Sequence, residues 1–285
     1  GQDDRVCAYT SLVAMLEVDN VKRTTCCLLV DKEEIGSVGA TGMQSRFFEN
    51  AVAEVLTLMG KPNSVSVRRT LENSRMLSSD VSAGYDPLYA SAFEKKNASY
   101  LGMGVVFNKF TGSRGKAGSN DANAEYMGFI RRVMESNNVT YQTAELGKVD
   151  LGGGGTIAYI MALYGMNVID CGVAVLSMHA PWEVTSKADI YEAKRCYVAF
   201  LNADDEKHLS EEIEHAENYA RIQKYRFRDN LHVEIAKPDE RIADVYVPRL
   251  ILQPILENAF KYAYENGNGD PMRLELSYEI RSDRD

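Results

Sequence analysis

The chain has 285 residues, 45% of them hydrophobic and 26% charged, which is the composition of a globular protein with room for one large domain or two ordinary ones. A net charge of −9 argues against nucleic acid or an anionic membrane surface as partner, and no apolar run approaches the roughly 20 residues of a membrane span. Cysteines 7, 26, 27, 171 and 196 form no C-x-x-C pair and sit among apolar residues, which reads as reduced core cysteines of a cytoplasmic protein.

Gly1-Gln2-Asp3-Asp4-Arg5 is neither a signal peptide nor a starting Met. Leu12, Met15 and Leu16 give residues 6–16 helix spacing, and Asp3 and Asp4 before them either suit the helix dipole or stand as metal ligands. Residues 26–30 predict a buried strand, followed by a charged turn over 31–37. Adjacent carboxylates such as Glu33 and Glu34 are costly at the end of a buried strand unless something uses them. On extended backbone they point opposite ways, so one can bind a metal while the other handles a proton. After a loop at 40–42, an amphipathic helix over 47–59 ends at Gly60, and helical character continues over 68–77. Residues 78–87 read as a strand end running into a turn, and 102–107 as a strand. Residues 111–120 form a loop rich in Gly, Ser and Lys, including Lys116, and Asp121 caps a helix through 137. A strand over 141–146 and a glycine loop over 149–155 follow, and Thr156 is the N-cap of a helix over 157–164. A strand over 168–177 delivers His179, and a helix over 188–201 closes this part.

At Asn202 the character changes, placing a domain boundary at about 202–205 and domains at 1–203 and 204–285. Residues 204–227 are helical, acidic at first, and 231–235 alternate as a strand. Val247-Pro248 leads into a helix over 250–264, residues 266–270 turn, and 273–280 are a last strand. Strands alternating with helices predict an α/β fold, a mixed parallel sheet sandwiched by helices. Ligands then gather at loops after strand C-terminal ends, where 31–37, Asp80 and His179 all lie.

Asp3, Glu33, Glu34, Asp80 and His179 supply carboxylates and an imidazole, a ligand set for zinc or a similar divalent ion. Two ions sharing a carboxylate would build a hydrolase that needs a base which is not a ligand. Five motifs occur in order: Gly1-Gln-Asp-Asp-Arg-Val-Cys7, Asp31-Lys-Glu-Glu-Ile-Gly-Ser37, Asp80-Val-Ser-Ala-Gly-Tyr-Asp-Pro87, Gly147-Lys-Val-Asp-Leu-Gly-Gly-Gly-Gly-Thr156 and Ser177-Met-His-Ala-Pro-Trp-Glu183. Residues 1–201 thereby resemble the C-terminal half of the aspartyl aminopeptidase and vacuolar aminopeptidase I family, co-catalytic zinc exopeptidases that remove N-terminal residues from peptides. The resemblance implies a zinc exopeptidase-like fold and two zinc ions. It makes Asp3 the bridging ligand, Glu33 the general base, Glu34 and His179 ligands of one metal, and Asp80 a ligand of the other. The family's second metal also takes a His from an N-terminal segment, and no His precedes His179 here. The expectation is therefore weak metal loading at Glu34 and His179, a poorer site at Asp80, and an aminopeptidase impaired by truncation.

Three further runs are Leu209-Ser-Glu-Glu-Ile-Glu-His215, Tyr219-Ala-Arg-Ile-Gln-Lys-Tyr-Arg-Phe227 and Pro248-Arg-Leu-Ile-Leu-Gln-Pro-Ile-Leu-Glu-Asn-Ala-Phe-Lys-Tyr262. They resemble a bacterial sensor histidine kinase of the autolysis- and sugar-response type. That resemblance implies a dimerisation helix plus a partial α/β ATPase-like fragment, with Asn258 on the Mg²⁺ of ATP, Glu257 beside it and Lys261 near the phosphates. The family's phosphoacceptor motif does not occur, so neither His208 nor His215 takes that role. The chain stops before the glycine-rich boxes, so neither autophosphorylation nor tight ATP binding is expected. The whole reads as an aminopeptidase domain fused to a kinase fragment, a chimera acting on peptides as a homo-oligomer. The competing class is a non-catalytic interaction protein whose helix over 204–227 self-associates through Ile213, Tyr219 and Ile222.

Overall fold

The structure, a computed structural model, describes residues 1–113, 117–148, 154–203, 207–227, 231–237, 239, 242, 245–247, 251–266 and 272–278. Lys116, residues 149–153 of the glycine motif, junction residues 204–206 and Pro248 lie outside these. The chain folds as two compact units, Gly1–Ala203 and Asp204–Asp285.

The first unit is built on a mixed four-stranded sheet of β1 (Arg75–Ser79), β3 (Val105–Asn108), β6 (Tyr141–Ala144) and β7 (Asn167–Gly172), in the order β1-β7-β3-β6. β1 runs parallel to β7, β7 antiparallel to β3, and β3 parallel to β6. Alternation along β7 sends Ile169 and Cys171 into one core and Val168 into another. The first core is completed by α1 (Arg5–Glu17), α4 (Ala124–Ser136) and α6 (Lys187–Leu201), through Cys7, Ile130, Met134 and Cys196. The second takes Leu71 from α3 (Ser64–Glu72) and Met161 from α5 (Ala158–Ala162), with Phe48 and Val52 of α2 (Phe47–Leu58) packed against it. Helices on both faces explain why β3 is buried along its whole length.

Several elements differ from the expectation. Residues 68–77 are not one helix: α3 runs from an N-cap in which Asn63 accepts from Ser66 N to the C-cap Asn73, and Met76 and Leu77 belong to β1. Parallel pairing with β7 overrides local helical character there. Residues 111–120 form a hairpin, β4 (Phe110–Ser113) with β5 (Ala117–Asp121), bulged between Thr111 and Ser113. The cap of α4 is Asn123, whose side chain accepts from Tyr126 N, so Asp121 ends a strand. Ile157 is the N-cap of α5, although Thr156 Oγ1 still accepts from Ala158 N at 3.2 Å. The strand over 168–177 breaks at Val173, and its second half, β8 (Ala174–Leu176), joins a small sheet between β2 (Ser82–Ala83) and β9 (Val184–Thr185). Residues 26–30 form no regular strand, and Leu29 is 55% exposed. Among the described residues nothing pairs with that segment, so its apolar side chains are left half covered and Cys26 is exposed. Cys7, Cys171 and Cys196 are buried.

The second unit places α7 (Leu209–Phe227) and α8 (Gln253–Asn266) around a core of Ile213, Ala216, Leu252, Leu256 and Phe260. Two strand pairs accompany them: β11 (Leu231–Ile235) runs parallel to β13 (Met272–Leu276), and β10 (Lys207–His208) antiparallel to β12 (Tyr246–Val247). Lys207 and His208 are therefore strand, not the start of α7. No described helix is long and apolar enough to cross a membrane.

Candidate metal centre

Local geometry at each segment decides what the acidic residues can reach. Asp3 and Asp4 precede α1, whose first turn closes through Val6 N to Gln2 O and Ala8 N to Asp4 O, both at 3.0 Å. Glu33 and Glu34 start a single 3-10 turn, Glu33–Ile35, between the left-handed residues Lys32 and Gly36. Ser37 N donates to Lys32 O at 2.7 Å, and a Cβ on Gly42 would meet Ser37 O at 2.1 Å, so only glycine lets the loop fold back on itself. Asp80 follows β1; its backbone N–H donates to Cys171 O at 3.1 Å, and its Oδ1 accepts from Val81 N at 2.7 Å. His179 follows β8 in a loop where Ser177 (φ 59°) and His179 itself (φ 64°) are left-handed.

These segments bring two trios together. Ligand atoms of Asp3, Glu34 and His179 lie within 4.8 Å of one another, as do those of Asp3, Asp4 and Asp80. His179 Nε2 is 3.0 Å from Asp3 Oδ2 and 3.4 Å from Glu34 Oε1. Asp3 belongs to both trios, and Glu33 to neither, although it stands next to them in charge: its carboxyl is pushed up by burial, then by Glu34 and Asp3. Burial, then the Glu34 charge, raises Asp3. Burial drives Asp4 up to about 7 against a Cys7 hydrogen bond that lowers it, with Asp3 raising it further. Asp80 goes well above the usual carboxylate range through burial and the charges of Asp4, Asp3 and Glu33.

That electrostatic pattern is a test of fit for a divalent ion. Carboxylates crowded together out of water repel one another and hold protons unless a cation neutralises them. Asp4 Oδ1 is buried without a hydrogen-bond partner, and such an orphaned acceptor suits a hard or borderline metal. Oxygen donors plus one imidazole suit zinc. The centre opens on a cavity of about 590 Å³, with Asp3, Asp4, Glu33 and Asp80 on its polar side and Met76 and Leu77 among its apolar walls.

Asp4 was read from sequence, together with Asp3, as either a helix-end acid or a metal ligand, and no signal decides between the two. Glu183 was not singled out: it ends a quoted motif without a role. Its carboxylate accepts from Asp3 N at 2.9 Å and from His179 N at 2.7 Å, and those bonds, the Asp3 one foremost, hold it below the usual range. Glu257, Asn258 and Lys261 lie elsewhere, on exposed positions of α8 in the second unit, where Gln253 Nε2 donates to Glu257 Oε1 at 2.7 Å.

The model of the aminopeptidase I zinc metalloprotease (M18) family matches residues 1–201. A probable M18 family aminopeptidase 1 from Clostridium acetobutylicum is 65% identical over 202 residues, which is 71% of this chain and 43% of that protein. The crystal structure of aminopeptidase I from the same organism superposes with a TM-score of 0.66 at 64% identity, covering 71% of this chain and 43% of that one. An M18 aminopeptidase structure from Thermotoga maritima gives a TM-score of 0.68 at 44% identity, covering 70% of this chain and 45% of that one. The chain thus spans less than half the length of these relatives, and the family model's match ends at residue 201.

Proposed function

The chain belongs to the aminopeptidase I zinc metalloprotease (M18) family through residues 1–201, and on that premise we propose that its first unit removes N-terminal residues from peptides at a zinc centre. One observation carries this reading: Asp3, Glu34 and His179, from segments far apart in sequence, converge within 4.8 Å. Asp3, Glu34 and His179 would hold one zinc, and Asp3 with Asp80 a second, with Asp4 beside them. Bound zinc would supply Lewis acidity, polarising a peptide carbonyl and making water easier to deprotonate. Glu33 is the base. Its half-buried carboxylate, raised above the usual carboxylate range by burial, takes a proton from the attacking water and returns it to the departing amine. The cavity beside it takes the peptide's N-terminal residue. A cytoplasmic setting and self-association belong to the same proposal.

The test is release of free N-terminal amino acids from short peptides in the presence of Zn²⁺, Mn²⁺ or Co²⁺. Chelator and Glu33→Gln should each abolish it, the substitution by about 100-fold or more, while Glu33→Gln keeps its zinc. Turnover that survives Glu33→Gln would sink the assignment of the base. His179→Ala should lose the zinc held with Asp3 and Glu34 as well as turnover.

A second proposal concerns residues 204–285: nucleotide binding through Glu257, Asn258 and Lys261, favoured by their exposed positions along one helix. Calorimetry with Mg-ATP tests it. Binding that Asn258→Ala removes supports it, and no heat at millimolar ATP overturns it.

A further inference from the structure

Glu183 stands apart from the other acids of the centre because each of its oxygens accepts a backbone N–H. Oε2 accepts the backbone N–H of Asp3, a residue 180 positions away, at 2.9 Å. Oε1 accepts the backbone N–H of His179 at 2.7 Å. One carboxylate therefore holds the main chains of two residues whose side chains meet 3.0 Å apart at the candidate centre. Hydrogen bonds from neutral donors to a charged acceptor are about twice as strong as neutral pairs, and using both oxygens fixes orientation as well as distance.

The surroundings favour a fixed clamp over an incidental contact. Although it lies near the molecular surface, the Glu183 side chain is only 3% exposed, because the segment leading into α1 covers it. A Cβ on Gly1 would fall 1.8 Å from Oε2, so that segment packs against it as closely as glycine allows. On its own side, Glu183 immediately precedes β9, which pairs antiparallel with β8 through Leu176↔Val184 and Val175↔Thr185. Thr185 Oγ1 donates to Ala174 O at 2.8 Å and pins that register. The loop between these strands carries two non-glycine residues at positive φ, Ser177 and His179. Such conformations persist only where the surroundings over-determine them, and the bond from His179 N to Glu183 is one such constraint.

We infer that Glu183 is a positioning residue for metal binding: it fixes Asp3 relative to His179, so that the two side chains present their ligand atoms to one ion. This rests on the zinc reading of the Asp3, Glu34 and His179 trio. Partners outside the ligand set commonly change metal affinity by about 10–100-fold when removed. Glu183→Gln keeps the size and one acceptor oxygen but turns an amide N–H toward one of the two backbone donors. Glu183→Ala removes both acceptors.

The experiment measures zinc affinity of the full chain by competition with a chromophoric chelator, for wild type, Glu183→Gln and Glu183→Ala. The visible absorption of Co²⁺-loaded protein and the amide exchange of Asp3 and His179 in metal-free protein are recorded alongside. The expected result is about tenfold weaker zinc binding in Glu183→Gln, a shifted Co²⁺ spectrum and faster exchange of both amides, with the thermal midpoint little changed. Both variants binding zinc within about twofold of wild type, with an unchanged Co²⁺ spectrum, would overturn the positioning role alone. If Glu183→Ala does not fold, Glu183→Gln decides. Wild type that binds no zinc, with both amides protected, would overturn the metal reading and the positioning role with it.

Discussion

Asp170 sits in the middle of β7, 2% exposed, accepting from Thr111 Oγ1 at 2.7 Å. Burial pushes its carboxyl up to about 6 against the lowering pull of the Thr156, Thr111 and Ser78 hydroxyls. A raised carboxyl means that the folded chain keeps a proton the unfolded chain has already lost, so stability falls as pH climbs from about 4 to 6. A rise from 3.8 to about 6 is on the order of 3 kcal/mol once the group is ionised. Asp170→Asn keeps an acceptor for Thr111 and removes the charge. The difference in urea stability between variant and wild type should therefore grow by up to about 3 kcal/mol between pH 4 and pH 6, then level off. A difference that stays constant with pH would remove this account. Residues of this kind are invisible in sequence, where Asp170 is one acid inside an apolar run. Glu33 and Glu34 were legible because two adjacent carboxylates after an apolar stretch need a reason, and Asp3, Asp80 and His179 because they recur in ordered motifs. Asp4 was offered only as one of two alternatives and Glu183 not at all, because what matters about each is a neighbour supplied by the fold.

At the scale of elements, the helices were easier to read than the strands. α1, α2 and α6 were legible as helices within one segment, although only α6 among them has a side-chain cap, Ser186, and α1 buries Val6, Cys7, Thr10 and Ala14 while Leu12 and Leu16 are exposed. By contrast, β1, the β4–β5 hairpin and the break at Val173 depend on partners far along the chain. Residues 26–30 have strand composition but no pairing partner among the described residues, so composition alone misplaced them. The β1–β7 junction shows what such pairing demands. A Cβ on Gly172 would lie 1.8 Å from Asp80 O and 3.0 Å from Cys7 Sγ. Two backbones and a helix side chain meet where only a hydrogen fits. Gly172→Ala must push β7 away from the end of β1, at a cost of about 1–3 kcal/mol, and it moves Asp80 out of place as it does so. Denaturant unfolding should show that loss, and zinc affinity should drop in the same protein. A Gly172→Ala chain as stable as wild type would mean that β1 and β7 do not approach as described.

The whole molecule joins a unit that the family model matches to one that lies beyond that match. Each unit has its own core, Ile169 and Cys171 with their neighbours in the first, Ile213 and Leu256 with theirs in the second. The zinc reading places every proposed ligand in the first unit. A ligand that binds only the folded form stabilises what it touches by RT ln(1 + [L]/Kd), about 2.7 kcal/mol at a hundredfold excess over Kd. That stabilisation should reach the amides of β1, β7 and α1, which open with the unit that holds the metal, and should leave those of α7 and α8 unchanged. Hydrogen exchange followed by mass spectrometry, with and without zinc, reads this peptide by peptide. Slowing confined to residues 1–203 is the expected outcome. Equal slowing across α7 and α8 would mean either that zinc also binds the second unit or that the two units open together, and Asp3→Ala, which removes a ligand common to both trios, separates these cases: binding in the second unit survives the substitution, whereas joint opening loses all zinc-dependent protection with the first unit's centre.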